Sequence, residues 1–305
     1  MKKERQHHVW QHYLKSWANE DGQVFCLSDG RIFSTGTNVL AVERDFYKLS
    51  KTTPEDIKLL RWLIVDNATP DAKRMHEKFL AMMTFPMDFV EANRRQLNNL
   101  NLIEESLDEY MTNALEDEHM GIEGRFLPHL ERIKNGDLSF YSDSEGCLDF
   151  LMFISAQYMR TKGIKVRSIQ SIKEKNGKDL SRIWSLMSSM YATNIMTSLF
   201  FSRKVRKLVL IENLTGLEFI TGDQPAINLL GTPPLPPESL SIYYPISPKL
   251  AIILAEDNQA PMFTTETLTA KDVAELNGRI VAASHSQVFA NTEAALKPFN
   301  KSERE

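Results

Sequence analysis

Short alternating segments at both ends of the chain bracket a middle, from 53 to 203, whose apolar residues recur at three and four, and this division constrains the fold more than any other feature. Near the start, QVFCLS at 23–28 and RIFST at 31–35 flank a DG turn, which predicts a β-hairpin. After Arg206 the period turns from helical to alternating: KLVLIEN, EFITGD, AINLL, SIYYPI and LAIILAE are strand candidates, separated by glycine, proline and asparagine. TPPLPPES at 232–239 lacks ladder donors and predicts an exposed polyproline-like connection. A helix is expected after Thr269, VFAN at 288–291 as a closing strand, and a frayed tail from Lys297. A lone hairpin is only marginally stable in water, so the early strands need the late ones as partners. The expectation is an α+β fold: an N-terminal hairpin and C-terminal antiparallel strands forming one sheet, with a large helical insertion. A single domain over 1–300 would comprise a sheet lobe, 1–52 with 204–296, and a helical lobe, 53–203.

In the middle, Thr53 followed by Pro54, Glu55 and Asp56 combines a hydroxyl cap, a proline that loses no needed donor, and acids at the positive end of the dipole. That helix should run through Leu60 and Leu63 toward Asn67. Further helices are expected near 71–84, 87–118, 122–134, 143–175 and 180–203, with Ser142 and Glu145 as a capping box for the fourth.

Composition narrows the function classes. With 42% apolar and 25% charged residues, 305 residues can bury a full core. The longest clean apolar run, LAIILA at 250–255, is far short of a membrane span, and the charged start MKKERQHH has no apolar stretch behind it. Cys26 and Cys147 lack paired spacing and read as buried small hydrophobes in a reducing cytoplasm. No glycine loop of Walker or dinucleotide spacing occurs, so no nucleotide cofactor is expected. The net charge of -4 hides a division: 87–145 holds fourteen acids against five bases, whereas 160–207 holds twelve bases against Glu174 and Asp179. The basic segment 160–207 suits a nucleic-acid face; alternatively, neighbouring helices compensate each other's surface charge.

Five places carry candidate chemistry. If QHHVWQHYL is helical, His7, Gln11 and Leu14 share one face and His8 and His12 another. Two histidines four apart can hold a metal, but the glutamate of a zinc-protease motif is absent. His7 is the better proton-transfer candidate, against a packing or capping role. In ERDFY, strand geometry would put Glu43, Asp45 and Tyr47 on one face, where an acidic pair could bind a divalent cation; equally, Asp45 could cap a turn while Phe46 and Tyr47 anchor the core. In TGDQP, Asp223 ends a strand with limited freedom, available either to a site or to backbone donors that shape a loop. Gln157, Arg160 and Thr161 would lie side by side on a helix, with Arg160 partly buried and in need of a carboxylate, Asp45 or Asp223, or of a substrate phosphate.

Together, H-x-V-x-Q-x-Y-L-x-x-W at 7–17, ERDFY at 43–47, Q-x-x-R-T at 157–161, GDQP at 222–225, YPISPKLAI at 244–252 and the LN at Leu276 and Asn277 resemble the microbial family catalogued as domain of unknown function 4238. Trp10 stands where that family has a proline, Gly222 where it has a serine, and Gln224 where it has an asparagine. The resemblance implies candidate positions rather than a reaction. Two readings result. In the first, a metal-assisted hydrolase, nuclease-like and acting on phosphodiesters, holds magnesium or manganese with Asp45 and Asp223. His7 shuttles a proton, Arg160 steadies phosphate, and Gln11, Gln157, Thr161, Gln224 and Asn277 bind substrate. Proteins of this resemblance could serve in phage or mobile-element conflict. In the second, a non-catalytic module binds nucleic acid or protein, and the motif residues form a structural polar network.

Overall fold

The computed structural model describes residues 1–231, 239–256 and 267–300, so most of the proline-rich connection expected at 232–239 lies outside the described residues. In chain order the elements are β1 (Arg5–His7), α1 (Gln11–Leu14), β2 (Gln23–Ser28), β3 (Arg31–Gly36), β4 (Val42–Arg44), α2 (Pro54–Leu60), α3 (Pro70–Asn93), α4 (Leu100–Lys134), α5 (Ser144–Met159), α6 (Lys162–Asn176) and α7 (Trp184–Phe201). The remainder comprises β5 (Arg206–Glu212), β6 (Thr221–Gly222), β7 (Ile227–Asn228), β8 (Ile242–Ser247), β9 (Leu250–Glu256), α8 (Ala270–Ala283), β10 (Val288–Ala290) and α9 (Glu293–Leu296).

The hairpin forms as its turn demands. Asp29 and Gly30 both take positive φ, 49° and 71°, the backbone of a two-residue hairpin loop that matches strand twist. Its open edge is closed by the far end of the chain. The four-stranded sheet runs β3-β2-β10-β6, with Phe289 opposite Cys26 and Val288 opposite Gly222. Beginning and end therefore share a sheet, and the fold is α+β, but the strands do not make a single sheet. A second four-stranded sheet, β5-β9-β8-β7, and a two-stranded ribbon, β1-β4, stand apart. Tyr13 of α1 joins the two larger sheets. Its hydroxyl donates to the Pro245 carbonyl of β8 and accepts from Thr221 Oγ1 of β6, each at 2.7 Å, while its ring stacks on Tyr244 at 4.9 Å.

Gly222 belongs at its position for steric reasons. A Cβ there would collide with Ser284 Oγ and lie 2.9 Å from the Gln287 carbonyl, so a serine in its place would force the 284–287 loop away.

The helical boundaries depart from the pattern in informative ways. Thr53 caps α2 in a reciprocal box with Asp56, as expected, and a π-helical turn carries it on to Val65. α3 passes through Pro86, and the break comes instead before Asn99, in the left-handed region at φ 59°. α4 runs unbroken across Gly121, Gly124 and Pro128 because Ile122, Phe126 and Leu130, four apart, are buried beneath it. Asp143, not Ser142, caps α5, its carboxylate accepting from the N–H groups of Glu145 and Gly146. The helix expected at 143–175 is two helices, broken at Arg160 and Thr161. The tail is packed through Asn300, which is buried, rather than frayed from Lys297; the five residues beyond lie outside the described set. Around apolar α5 the core gathers Phe126 of α4, stacked on Phe153 at 3.9 Å, with Trp10 edge-on to Phe153. Cys26 and Cys147 are buried thiols, and burial pushes them up to about 12 and about 11. Among the described residues no helix is long and apolar enough to cross a membrane.

Candidate functional site at the start of α6

The α5–α6 break organises the motif residues. Arg160, buried, ends α5 with φ −82° and ψ 0°, and Thr161 is extended with ψ 155°. Side-chain bonds to distant segments hold this turn. Arg160 Nη2 donates to Glu123 Oε1 at 2.6 Å and to Gln157 Oε1 at 3.0 Å. Thr161 Oγ1 donates to Gln224 Oε1 instead of capping its own helix. Gln224 in turn donates to the Tyr158 and Ala226 carbonyls, and Gln157 donates to the His8 carbonyl. The Tyr47 hydroxyl sits 3.2 Å from the His7 carbonyl and 3.4 Å from that of Arg160.

Because Thr161 is turned away, α6 begins without a side-chain cap and without an acid in its first turn. Among the described residues nothing accepts from the N–H groups of Lys162, Gly163 or Ile164, although Gly163 is buried. Lys162 pairs with Glu43, Lys165 Nζ lies 4.5 Å above the Phe46 ring, and that ring packs 5.2 Å from His8. His8 is buried with Nδ1 unpartnered; burial, then the charges of Lys162 and Arg160, push it down to about 3, so it is neutral at physiological pH. The His285 Cβ would lie 3.3 Å from a Cβ on Gly163, which places that loop against the first turn of α6.

Asp223 holds the loop there. Its carboxylate, fully buried, accepts from the N–H groups of His285, Ser286 and Gln287 at 2.7–3.0 Å and from Ser286 Oγ at 3.0 Å. Of the two roles open to Asp223, the structure shows the loop-shaping one. With both oxygens engaged it does not offer a metal coordination site beside Asp45, and among the described residues no group of three or more His, Cys, Asp or Glu is arranged to hold a metal ion. The residues therefore do not fit a divalent cation shared by Asp45 and Asp223.

Other expected positions fall as follows. His7 and His8 are not helical: β1 ends at His7, and α1 begins only at Gln11, so the expected shared faces dissolve. His7, half-buried, lies 3.2 Å through Nδ1 from the Leu40 carbonyl, and burial lowers its pKa. Asp45 leaves the strand pattern in the left-handed region, φ 56°, so it does not alternate with Glu43 and Tyr47; its Oδ1 is buried without a partner. Phe46 and Tyr47 are buried anchors. Gln11 reaches Thr37 Oγ1 at 3.4 Å, and Asn277 ties α8 to 218–220 by accepting from Ile220 N–H and donating to the Glu218 carbonyl. Gln11 and Asn277 thus lie outside the network around Arg160.

The partner of Arg160 is neither Asp45 nor Asp223 but Glu123, and α4 adds groups that sequence reasoning passed over. Burial would lower the guanidinium, yet Glu123, Tyr47 and Glu116 outweigh it and hold it above its ordinary value. Burial raises Glu116 and Glu118 to about 7, and drives His119 well below its usual range. Glu118 Oε2, His119 Nδ1 and Arg160 Nε, each unpartnered, line one small cavity of about 10 Å³, room for about one water molecule. Glu116, His119 and Glu123, spaced three and four apart, were visible as one helix face within the acidic block.

The chain belongs to the family described as "Protein of unknown function (DUF4238)", whose model matches residues 5–294. No curated protein and no solved structure matches it.

Proposed function

We propose that this family member is a nucleic-acid-binding module, in which the basic helix α6 meets phosphates and the motif residues form the polar network that holds α6 in place. One observation carries this: Lys173 and Lys175 of α6 stand exposed without an ion pair among the described residues, and acidic α4 does not neutralise them. The acids of α4 pair elsewhere. Asp108 binds Lys2 and Lys48, Asp117 binds Lys3, Glu109 binds the N-terminal amine, and Glu104 binds Arg94. Along α6, Lys173 and Lys175 are exposed and have no acid within ion-pair distance among the described residues. Exposed lysines without an ion pair on a surface helix supply the counterion-release term that drives sequence-independent binding.

The test is fluorescence anisotropy with a duplex oligonucleotide across a salt series. Lys173→Glu with Lys175→Glu should flatten the slope of log K against log salt by about 2, one unit per lost phosphate contact. An unchanged slope, or no binding at low salt, removes α6 as the contact surface.

A second reading, nuclease-like hydrolysis, draws on His7. With Nδ1 turned to the Leu40 carbonyl and its charged form disfavoured by burial, His7 offers Nε2 as a neutral base. Purified protein incubated with DNA and RNA, with and without magnesium or manganese, should then show turnover that His7→Ala abolishes at unchanged melting temperature. Turnover that survives His7→Ala takes proton transfer away from this residue.

A further inference from the structure

We propose that the small cavity between α4, α5 and α7 is a binding site for a single internal water, which bridges Glu118 Oε2, His119 Nδ1 and Arg160 Nε. The site goes beyond the polyanion reading and does not depend on it.

Three observations converge on this cavity. First, it is lined by Glu118 and His119 of α4, by Arg160 at the end of α5, and by Ser188, Ser189 and Thr193 of α7. Second, each of the first three carries one enclosed polar atom without a partner among the described residues, and His119 and Arg160 are more than nine-tenths buried. Unpaired buried atoms are costly, and one shared partner would relieve all three. The hydroxyls of α7 do not take that part. Those of Ser188 and Ser189 donate to the Ser185 carbonyl and that of Thr193 to the Ser189 carbonyl, so α7 offers the cavity lone pairs only. Third, a volume of about 10 Å³ admits about one water molecule and nothing larger.

The chemistry of the lining selects water over an ion of similar size. Arg160 Nε–H needs an acceptor, whereas Glu118 Oε2 needs a donor. An ammonium or metal cation offers no acceptor and would sit against a guanidinium. Chloride offers no proton and would sit against a carboxyl group. Water meets both demands, and its remaining proton or lone pair serves the imidazole of His119 in either tautomer. A neutral occupant also suits the charge balance. Glu123 already pairs with Arg160, burial raises Glu118 to about 7, and burial drives His119 well below its usual range. The water would tie consecutive residues of α4 to the guanidinium that ends α5, reinforcing the hold that Glu123 and Gln157 have on the α5–α6 break.

The test is a high-resolution crystal structure of the full chain, with crystals soaked separately in bromide and rubidium. The expected result is one density peak within about 3.2 Å of all three atoms and no anomalous signal from either ion. An empty cavity among ordered side chains, or an ion peak, overturns the proposal. In solution, the Arg160 Nε–H should show a water cross-peak with the sign of a long-lived contact. That peak should survive Ser188→Ala, Ser189→Ala and Thr193→Val, each of which removes a hydroxyl able to relay exchange. Its loss in any of them assigns the signal to that hydroxyl and overturns the bridge. Ala192→Val, which fills the cavity, should abolish the peak. Glu118→Met, at a partly exposed position, is the second variant should Ala192→Val fail to fold, and should abolish it too. A peak that persists in the folded variant overturns the site.

Discussion

Two clusters of backbone N–H donors in this protein are treated in opposite ways. The loop at 285–287 turns three N–H groups inward and meets them with a carboxylate of the chain's own, Asp223. The first turn of α6 presents the N–H groups of Lys162, Gly163 and Ile164 with no acceptor among the described residues. The contrast separates a carboxylate lock inside the fold from a helix start left uncapped, and teaches that the most suggestive acid in a sequence can be a structural anion.

Breaking the locked half should have the largest effect. Asp223→Ala leaves three N–H groups and a hydroxyl without their acceptor and should cost about 4 kcal/mol in urea denaturation, while Asp223→Asn retains part of that. A loss under about 1 kcal/mol would mean the loop is not locked at all. Next, Arg160→Met strands Glu123 in the interior and should cost about 3 kcal/mol, of which a further Glu123→Gln should recover a substantial share. Independent, additive losses would deny that they act as a pair.

The pH dependence sharpens the contrast. Burial lifts the folded pKa of Glu116 to about 7, so its neutral form favours folding. That contribution is complete below the ordinary carboxyl range and is lost as pH rises through about 7. Glu116→Gln should therefore be more stable than wild type by about 1–2 kcal/mol at pH 8, with the two curves meeting near pH 4. His8, pushed down to about 3, works oppositely: stability from its neutral form is intact above its ordinary value and falls away toward pH 3, and His8→Gln should flatten that acid limb. The smallest effect is expected far from either donor cluster, where Thr53→Ala removes half of a capping box and should cost about 1 kcal/mol.

What was legible in the sequence was local or topologically forced. The DG turn and its alternation specify β2 and β3, the Thr53 box specifies α2, and the marginal stability of a lone hairpin demands the late strands that β10 and β6 supply. What was not legible depends on bonds between remote residues. Nothing within LDFLMFISAQYMRTKGIKV ends a helix; it stops at Arg160 because Glu123 and Gln224 pull on consecutive side chains. The sequence pattern predicts separate helices near 71–84 and 87–118, yet α3 continues through Pro86 to Asn93. Asp223, Arg160 and Thr161 stand out in the sequence as motif positions, but the groups they bond to, Glu123, Gln224 and the 285–287 loop, are not marked out as their partners there. Asp45 was misplaced because ERDFY reads as alternating strand, and one residue in the left-handed region ends that alternation.

The strand order β3-β2-β10-β6 also fixes an order of events during synthesis. The hairpin emerges from the ribosome before all of the helices α2 to α8, but the neighbour of β2 is Val288–Ala290, which follows them. Until then β2 must wait with an open edge while the helices assemble behind it, the condition in which strands pair with wrong partners. Loss of the last segment would leave that edge permanently exposed, so a truncated chain should aggregate through its beginning rather than its end.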